Sequence, residues 1–306
     1  MASPAGGYVG RFAPSPTGPL HLGSLTAAVA SYLEARSRQG RWLVRIEDLD
    51  RPRAIPGMSD RHLRTLERFG LEWDGTVRIQ SEHLEAYHEA VEQLKHAGLL
   101  YPCTCSRAEL IALRPPLSPD DDEELHYPGR CRDGVLRRER PAAWRMRVPD
   151  SPIAFVDRWQ GPQLERVSET SGDFIVKRRD QITAYQLACV VDDGLQAVSD
   201  VVRGADLLAS TAKQRLLQAA LGLAAPDYAH APVVVDAAGQ KLAKSRHAVG
   251  VDDEAPAARL VTVLALLRQR PPRELARASV AEVGSWALAH WDPSALKNML
   301  STRLPD

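Results

Sequence analysis

Residues 8–23 read YVGRFAPSPTGPLHLG, and residues 41–48 read RWLVRIED. YVGRFA (8–13) has the short apolar run of a strand. PSPTGP (14–19) must be a loop, because three prolines and a glycine sustain neither strand nor helix. From His21 a helix begins: Leu22, Leu25, Val29, Tyr32 and Leu33 recur at helical spacing, and Gly40 stops it. RWLVRIED is the next strand. Strand, helix and strand within roughly 40 residues make a βαβ unit, whose two strands run parallel. At the strand-to-helix junction, Gly18 and Gly23 let a ligand approach the backbone closely. The helix start offers free N–H groups and positive potential to a phosphate. His21, in the first turn, can donate a hydrogen bond to a phosphate oxygen.

Further along, helices are predicted near 57–70 and 81–98. The stretch 101–135 holds clustered cysteines, several prolines and an acidic run from Asp120 to Glu124, which suits an insertion with little regular structure. AAWRMRVP (142–149) and SPIAFVDR (151–158) alternate like strands and are placed in the same insertion. FIVKR (174–178) is predicted to return to the main sheet. AYQLACVVDD (184–193) reads as a helix, AVSDVVRG (197–204) as a strand and turn, 211–221 as a helix and APVVVD (231–236) as a strand. Beyond KLAKS (241–245) the chain is rich in alanine and leucine and is predicted helical to its end. The organisation expected is a first catalytic half (1–100), an insertion (101–170), a second catalytic half (171–250) and a short helical part (251–306).

The chain has 306 residues, enough for one large domain with insertions. Lys plus Arg and Asp plus Glu each number 39, so the formal charge is zero, which disfavours a nonspecific nucleic-acid binder but allows a local basic surface. There is neither a long apolar run nor an export-type N-terminus, so no membrane span is expected and the cytoplasm is the expected compartment. Of the four cysteines, three cluster at 103, 105 and 131. Without export signals, such a cluster suits metal ligands better than disulfides. Three thiolates fit Zn²⁺, which takes four tetrahedral ligands. Chemistry alone suggests His126 as the fourth. Cys189 lies in an apolar helical run and reads as core.

Lys241 and Lys244, on a loop after a late strand, can clamp the β- and γ-phosphates of a nucleotide as charge develops. An early His-x-Gly loop at a βα junction together with a late KxxKS loop resembles the two signatures of class I aminoacyl-tRNA synthetases. GRFAPSPTGPLHLGS (10–24), VRIEDLDRPR (44–53), YPCTCSRAEL (101–110), YPGRC (127–131) and VVRGADLL (201–208) resemble the glutamate-specific branch, over most of residues 8–250. Leu242 and Ala243 depart from the Met and Ser of the class pattern, and residues 114–126 look like extra length in the metal segment.

The resemblance implies an α/β fold: a Rossmann-type parallel-sheet catalytic domain with an inserted zinc-binding, acceptor-type subdomain and a short helical C-terminal part. It implies that His21, Gly23, Lys241 and Lys244 serve catalysis and that His21, Gly23 and Lys244 hold ATP with its Mg²⁺. It implies that Arg11, Ala13, Ser15, Glu47, Tyr185 and Arg203 line a glutamate pocket. Arginine suits a carboxylate through its bidentate fork, and Glu47 suits the substrate ammonium. It makes Tyr127 the fourth ligand of one structural zinc beside Cys103, Cys105 and Cys131, so Tyr127 and His126 both stand as candidates. Only about 60 residues follow KLAKS, too few for the large anticodon-reading part of full glutamyl-tRNA synthetases. The chain therefore resembles the truncated branch, the glutamyl-queuosine tRNA(Asp) synthetases. That implies activation of L-glutamate without tRNA and transfer to queuosine at the wobble position of tRNA(Asp), by a monomer. A discrete glutamyl-tRNA(Glu) synthetase and a small-molecule nucleotidyltransferase are the alternatives. Arg107, Arg130 and Arg132 are expected to face RNA phosphates.

Overall fold

The computed structural model describes residues 7–112, 125–236, 238–241, 250–253 and 255–304. Strand β1 (Val9–Phe12) leads through the Pro-rich loop into helix α1 (Leu22–Ser37), and β2 (Arg41–Ile46) runs parallel to β1, pairing Val9 with Arg41 and Phe12 with Val44. Helix α1 turns its buried Leu22, Leu25, Val29 and Leu33 inward. It ends at Ser37, three residues before Gly40. Gly40 is needed for a different reason: a Cβ there would lie 2.6 Å from the Tyr8 carbonyl.

Helix α2 (Met58–Arg68), strand β3 (Arg78–Ile79) and helix α3 (Leu84–His96) follow, with β3 parallel to β2. Next come β4 (Leu100–Cys103), α4 (Arg107–Ile111), β5 (Ala143–Met146), β6 (Ile153–Asp157), β7 (Gly161–Glu165), α5 (Val167–Thr170) and β8 (Ile175–Lys177). Helix α6 (Tyr185–Leu195), β9 (Asp200–Gly204), α7 (Ser210–Leu221), β10 (Asp227–Ala231) and β11 (Val233–Val235) complete the second half. Helices α8 (Pro256–Leu266) and α9 (Val280–Ala289) and strand β12 (Ser301–Arg303) close the chain.

The sheet order is β1-β2-β3 in one group and β7-β6-β10-β9 in another. Ser199 N–H donates to the Val9 carbonyl (3.0 Å) and Val9 N–H to Ser199 Oγ (2.9 Å), so the two groups meet where β1 lies beside β9. This is an α/β fold on a parallel sheet, as expected. Its late helices pack on its first: α8 and α9 share one apolar core with α1, through Leu260, Val263, Val283 and Leu25.

Three strand expectations fail. SPIAFVDR does not belong with the insertion, because β6 pairs with β7 and, in parallel, with β10. FIVKR does not re-enter the parallel sheet. Its strand β8 pairs antiparallel with β5, which pairs antiparallel with β4, as a separate small sheet. Alternation reports which face of a strand is buried, not which neighbour it bonds to. The end of the chain is not all helix, since β12 pairs in parallel with β11. Strand β10, DYAHA, was not predicted at all; it shares its edges with β6 and β9.

Two carboxylates of α6 tie the layers together. Asp193 accepts from Arg45 of β2 (2.7 Å) and from Arg11 of β1 (3.2 and 3.4 Å). Asp192 accepts from Arg78 of β3 (2.7 Å), Gln80 (2.8 Å) and Tyr87 of α3 (2.8 Å). Arg45 is fully buried. Burial alone would raise the Asp193 carboxyl, but Arg11 and Arg45 hold it at about 2. It therefore stays ionised throughout neutral and mildly acid pH, and its contribution is lost only as pH falls towards that value. Arg45→Ala strips the buried Asp193 carboxylate of the nearer of its two arginine partners and leaves Glu47 without its own, at a cost of about 3–5 kcal/mol. Thermal melts of this variant should fall by roughly 10 °C, equally at pH 5.5 and pH 8. A melting temperature within about 2 °C of the parent would show the network to be dispensable.

Candidate active site and cysteine cluster

The 14–23 loop, the C-terminal ends of β1 and β9 and the start of α6 enclose a cleft of about 530 Å³. Ligands of parallel α/β sheets sit at such strand ends. Arg11, Ala13, Ser15, His21, Gly23, Tyr185, Arg203 and Lys241 all line it. Eight sequence-predicted residues, spread over more than two-thirds of the chain, thus share one cavity. Lys244 lies outside the described residues.

His21 is the N-cap of α1. Its Nδ1 accepts from Ser24 N–H (3.2 Å), which leaves Nε2 carrying the proton and available as a donor, now 3.1 Å from Ser24 Oγ. Burial, and then Lys241, lowers its pKa, so the ring is neutral at pH 7. Capping and phosphate contact are therefore compatible, one through each nitrogen. Lys241 is ion-paired with Asp206, another cleft residue. Downstream of the KLAKS loop, Val251 N–H donates to the Leu20 carbonyl (2.9 Å). Asp252 pairs with Arg61 (2.6 Å) and accepts from Thr65 (2.6 Å). Residues 251 and 252 are thereby fastened to the early loop and to α2.

The two cleft arginines differ. Arg11 uses Nε and Nη2 on Asp193. Arg203 is also buried, yet its hydrogen bonds run to neutral acceptors: His230 Nε2 (3.0 Å), Gln214 Oε1 (2.7 Å), the Leu207 carbonyl (3.2 Å) and Thr211 Oγ1 (2.9 Å). Four of its five N–H groups are engaged, so a free bidentate fork is not on offer; one Nη1–H is left over on a residue that lines the cleft. Glu47 is nearly buried and bound to Arg45 (3.2 Å), outside the residues that line the cleft. Burial raises its pKa, opposed by Arg45 and Arg11.

The three sulfurs of Cys103, Cys105 and Cys131 lie within 4.8 Å of one another, and all three residues are buried. Tyr127 Oη is 3.3 Å from Cys103 Sγ and 3.9 Å from Cys105 Sγ. His126 instead bonds the Ser168 carbonyl (3.0 Å) at the surface and takes no part in the cluster. Tyr127 is held from behind by Gly172, where a Cβ would lie 2.1 Å from the Tyr127 carbonyl, and by the Arg145 guanidinium 3.7 Å over its ring. Burial raises the Cys105 thiol to about 11. At Cys131, burial is outweighed by N–H groups of Thr104 and Leu136 aimed at the sulfur, which bring it to about 7. Arg132 was expected to meet RNA; it is committed to the buried Asp173 through two bonds of 2.6 Å.

Residues 8–269 match the family model "tRNA synthetases class I (E and Q), catalytic domain". A Glutamyl-Q tRNA(Asp) synthetase of Dechloromonas aromatica (strain RCB) is 50% identical over 298 residues, 97% of this chain and 98% of its own. The chain belongs to this family of class I synthetases. One of Thiobacillus denitrificans (strain ATCC 25259 / T1) is 51% identical over 92% of this chain and 93% of its own. Among solved structures, a glutamate tRNA ligase from Elizabethkingia meningosepticum CCUG26117, in complex with its amino acid, superposes with a TM-score of 0.79 at 26% identity. It covers 98% of this chain and 67% of its own. Mycobacterium tuberculosis methionyl-tRNA synthetase (TM-score 0.53, 14% identity, 84% of this chain and 64% of its own) shares the fold.

Within this synthetase family, sequence reasoning missed the residues that hold Arg203: Asp157, Thr211, Gln214 and His230. Asp157 and His230 sit in strand-like runs, where a polar residue signals only a bonded core group. Asp206, the partner of Lys241, was likewise not singled out.

Proposed function

We propose that the cleft activates L-glutamate with ATP and that the activated acyl group passes to queuosine in tRNA(Asp). The observation that carries this is Arg203: a buried guanidinium, bonded among the described residues only to neutral groups, lining the same cleft as the His21 loop. A buried cation without an acid calls for an anionic ligand. The side-chain carboxylate of glutamate fills that role, with Arg11, Tyr185, Ala13 and Ser15 around it; Glu47, held on Arg45 behind the cleft lining, acts on the ammonium only if that wall opens to it. Its α-carboxylate, already ionised at pH 7, attacks the α-phosphorus in line, and pyrophosphate leaves. His21 Nε2–H, Lys241 and Lys244 stabilise charge on the phosphate oxygens, and Mg²⁺ enters with ATP. A hydroxyl of the acceptor then displaces AMP from the mixed anhydride. The names of the half-identical relatives, matched end to end, support queuosine-bearing tRNA(Asp) as that acceptor. Among the described residues no helix is long and apolar enough to cross a membrane, and the reading places a monomer in the cytoplasm.

Glutamate-dependent pyrophosphate exchange should proceed without tRNA, and transfer should require tRNA(Asp) carrying queuosine. Arg203→Ala should lower the exchange by about 10- to 100-fold, since a charge-assisted contact contributes about 1.5–3 kcal/mol. Glutamate on the terminal adenosine, or on tRNA(Glu), would favour a glutamyl-tRNA(Glu) synthetase instead.

The cysteine cluster, on this reading, holds one structural zinc in the inserted segment. The donor set fits: three buried sulfurs and a phenol oxygen converge, and one sulfur already collects backbone donors, as a thiolate ligand does. Metal analysis of protein prepared without chelator should give about one equivalent. Cys103→Ser should lose the metal. Zinc retained in a Cys103, Cys105 and Cys131 triple variant would place it elsewhere.

A further inference from the structure

We propose that His230, anchored by Asp157, is a positioning residue for Arg203, holding its guanidinium in the plane that presents one N–H to the substrate carboxylate. The proposal rests on the reading of Arg203 as the glutamate contact.

The geometry is set by the sheet. Strand β10 lies between β6 and β9, and His230 is the register partner of Arg203. Parallel register partners project to the same face, so ring and guanidinium lie side by side. Asp157, at the end of β6, accepts from Trp159 N–H (3.0 Å) and Gln160 N–H (2.8 Å) through Oδ1, and lies 2.6 Å from His230 Nδ1 through Oδ2. Four partners thus fix a carboxylate with nothing to donate, counting the longer contact from His230 N–H (3.3 Å).

The tautomer follows from the partners. A carboxylate at 2.6 Å makes Nδ1 the donor. Arg203 Nε–H, at 3.0 Å, needs an acceptor, so Nε2 carries the lone pair. The ring is therefore neutral. Burial lowers its pKa, Asp157 opposes this, and Arg203 adds to it. An imidazolium would aim a proton at the guanidinium and lose the bond. The other groups facing the ring are Thr211 Oγ1 at 3.5 Å, the stacked Tyr228 ring and the nearby charge of Asp206. Arg203 is then fixed on three sides, by His230 at Nε, Gln214 at Nη1, and Thr211 with the Leu207 carbonyl at Nη2. A guanidinium so held loses little entropy on meeting a carboxylate. None of these partners touches the substrate in this scheme; they act through Arg203.

Asn and Gln separate the two halves of the relay. At position 230, Asn places an amide N–H near Asp157 but is too short to reach Arg203, whereas Gln can offer its carbonyl to Arg203 Nε–H. In pyrophosphate exchange, His230→Asn should raise half-saturation for glutamate roughly tenfold and leave that for ATP within about twofold. His230→Gln should recover glutamate half-saturation to within about threefold of the parent. Melting temperatures confirm that each variant is folded. Equal losses in both variants, or an ATP shift matching the glutamate shift, overturn the proposal. If His230→Asn does not fold, a folded His230→Gln decides: recovery supports the relay, and a loss of roughly tenfold overturns it. Arg203→Ala separates the two levels. Unchanged glutamate dependence there overturns the reading of Arg203 and this proposal with it. A loss there, with Asn and Gln alike at 230, overturns the positioning role alone.

Discussion

The bond between Arg45 and Asp193 is the constraint on which the cleft depends. Arg45 has no solvent exposure, and its attraction to Asp193 offsets the cost of taking both ions out of water. The same carboxylate binds Arg11, and the same guanidinium binds Glu47. One pair therefore fixes the facing residues of β1 and β2 against α6. Neighbouring Asp192 extends the tie to β3 and α3. Since α6 begins with Tyr185 at the cleft, its anchorage also sets the cleft wall.

Much of this was legible in the sequence because the first βαβ unit carries redundant signals. Apolar spacing, the Pro-rich loop and the glycines agree on β1, α1 and β2, and the structure follows them within a residue or two. The cysteine cluster was legible because thiols at close spacing have few other uses inside a chain. Strand partners were not legible. β8 and β11 look alike as short apolar runs, yet one joins an antiparallel sheet and the other pairs in parallel with the chain's last strand. Pairing depends on long-range register, which alternation does not encode. The supports of Arg203 were hidden for a related reason. Asp157, Thr211, Gln214 and His230 lie on three separate elements and meet only when β6, β10 and α7 are in place.

The Pro-rich loop shows how a segment without regular structure becomes well defined. Gly18 carbonyl accepts from the buried His62 ring of α2 (2.8 Å), Pro14 carbonyl from Glu47 N–H (3.0 Å) and Pro16 carbonyl from Ile55 N–H (2.8 Å). Prolines cannot donate, so the loop is held through its carbonyls. The loop is thus braced on one side and left open on the side where a phosphate would sit.

Charge pairing within the cleft then explains where a substrate carboxylate can go. Arg11 is neutralised by Asp193 and Lys241 by Asp206. Arg203 has hydrogen-bond partners but, among the described residues, no acid bonded to it. An anion entering at Arg11 or Lys241 must compete with a carboxylate already present. At Arg203 it meets a positive charge that is oriented, buried and, among the described residues, without a bonded acid, where less competes for the attraction. Amide side chains such as glutamine gain a single hydrogen bond there and no charge term. On the proposed reading, discrimination for glutamate is then built less by the number of arginines in the cleft than by which one, among the described residues, has no acid bonded to it.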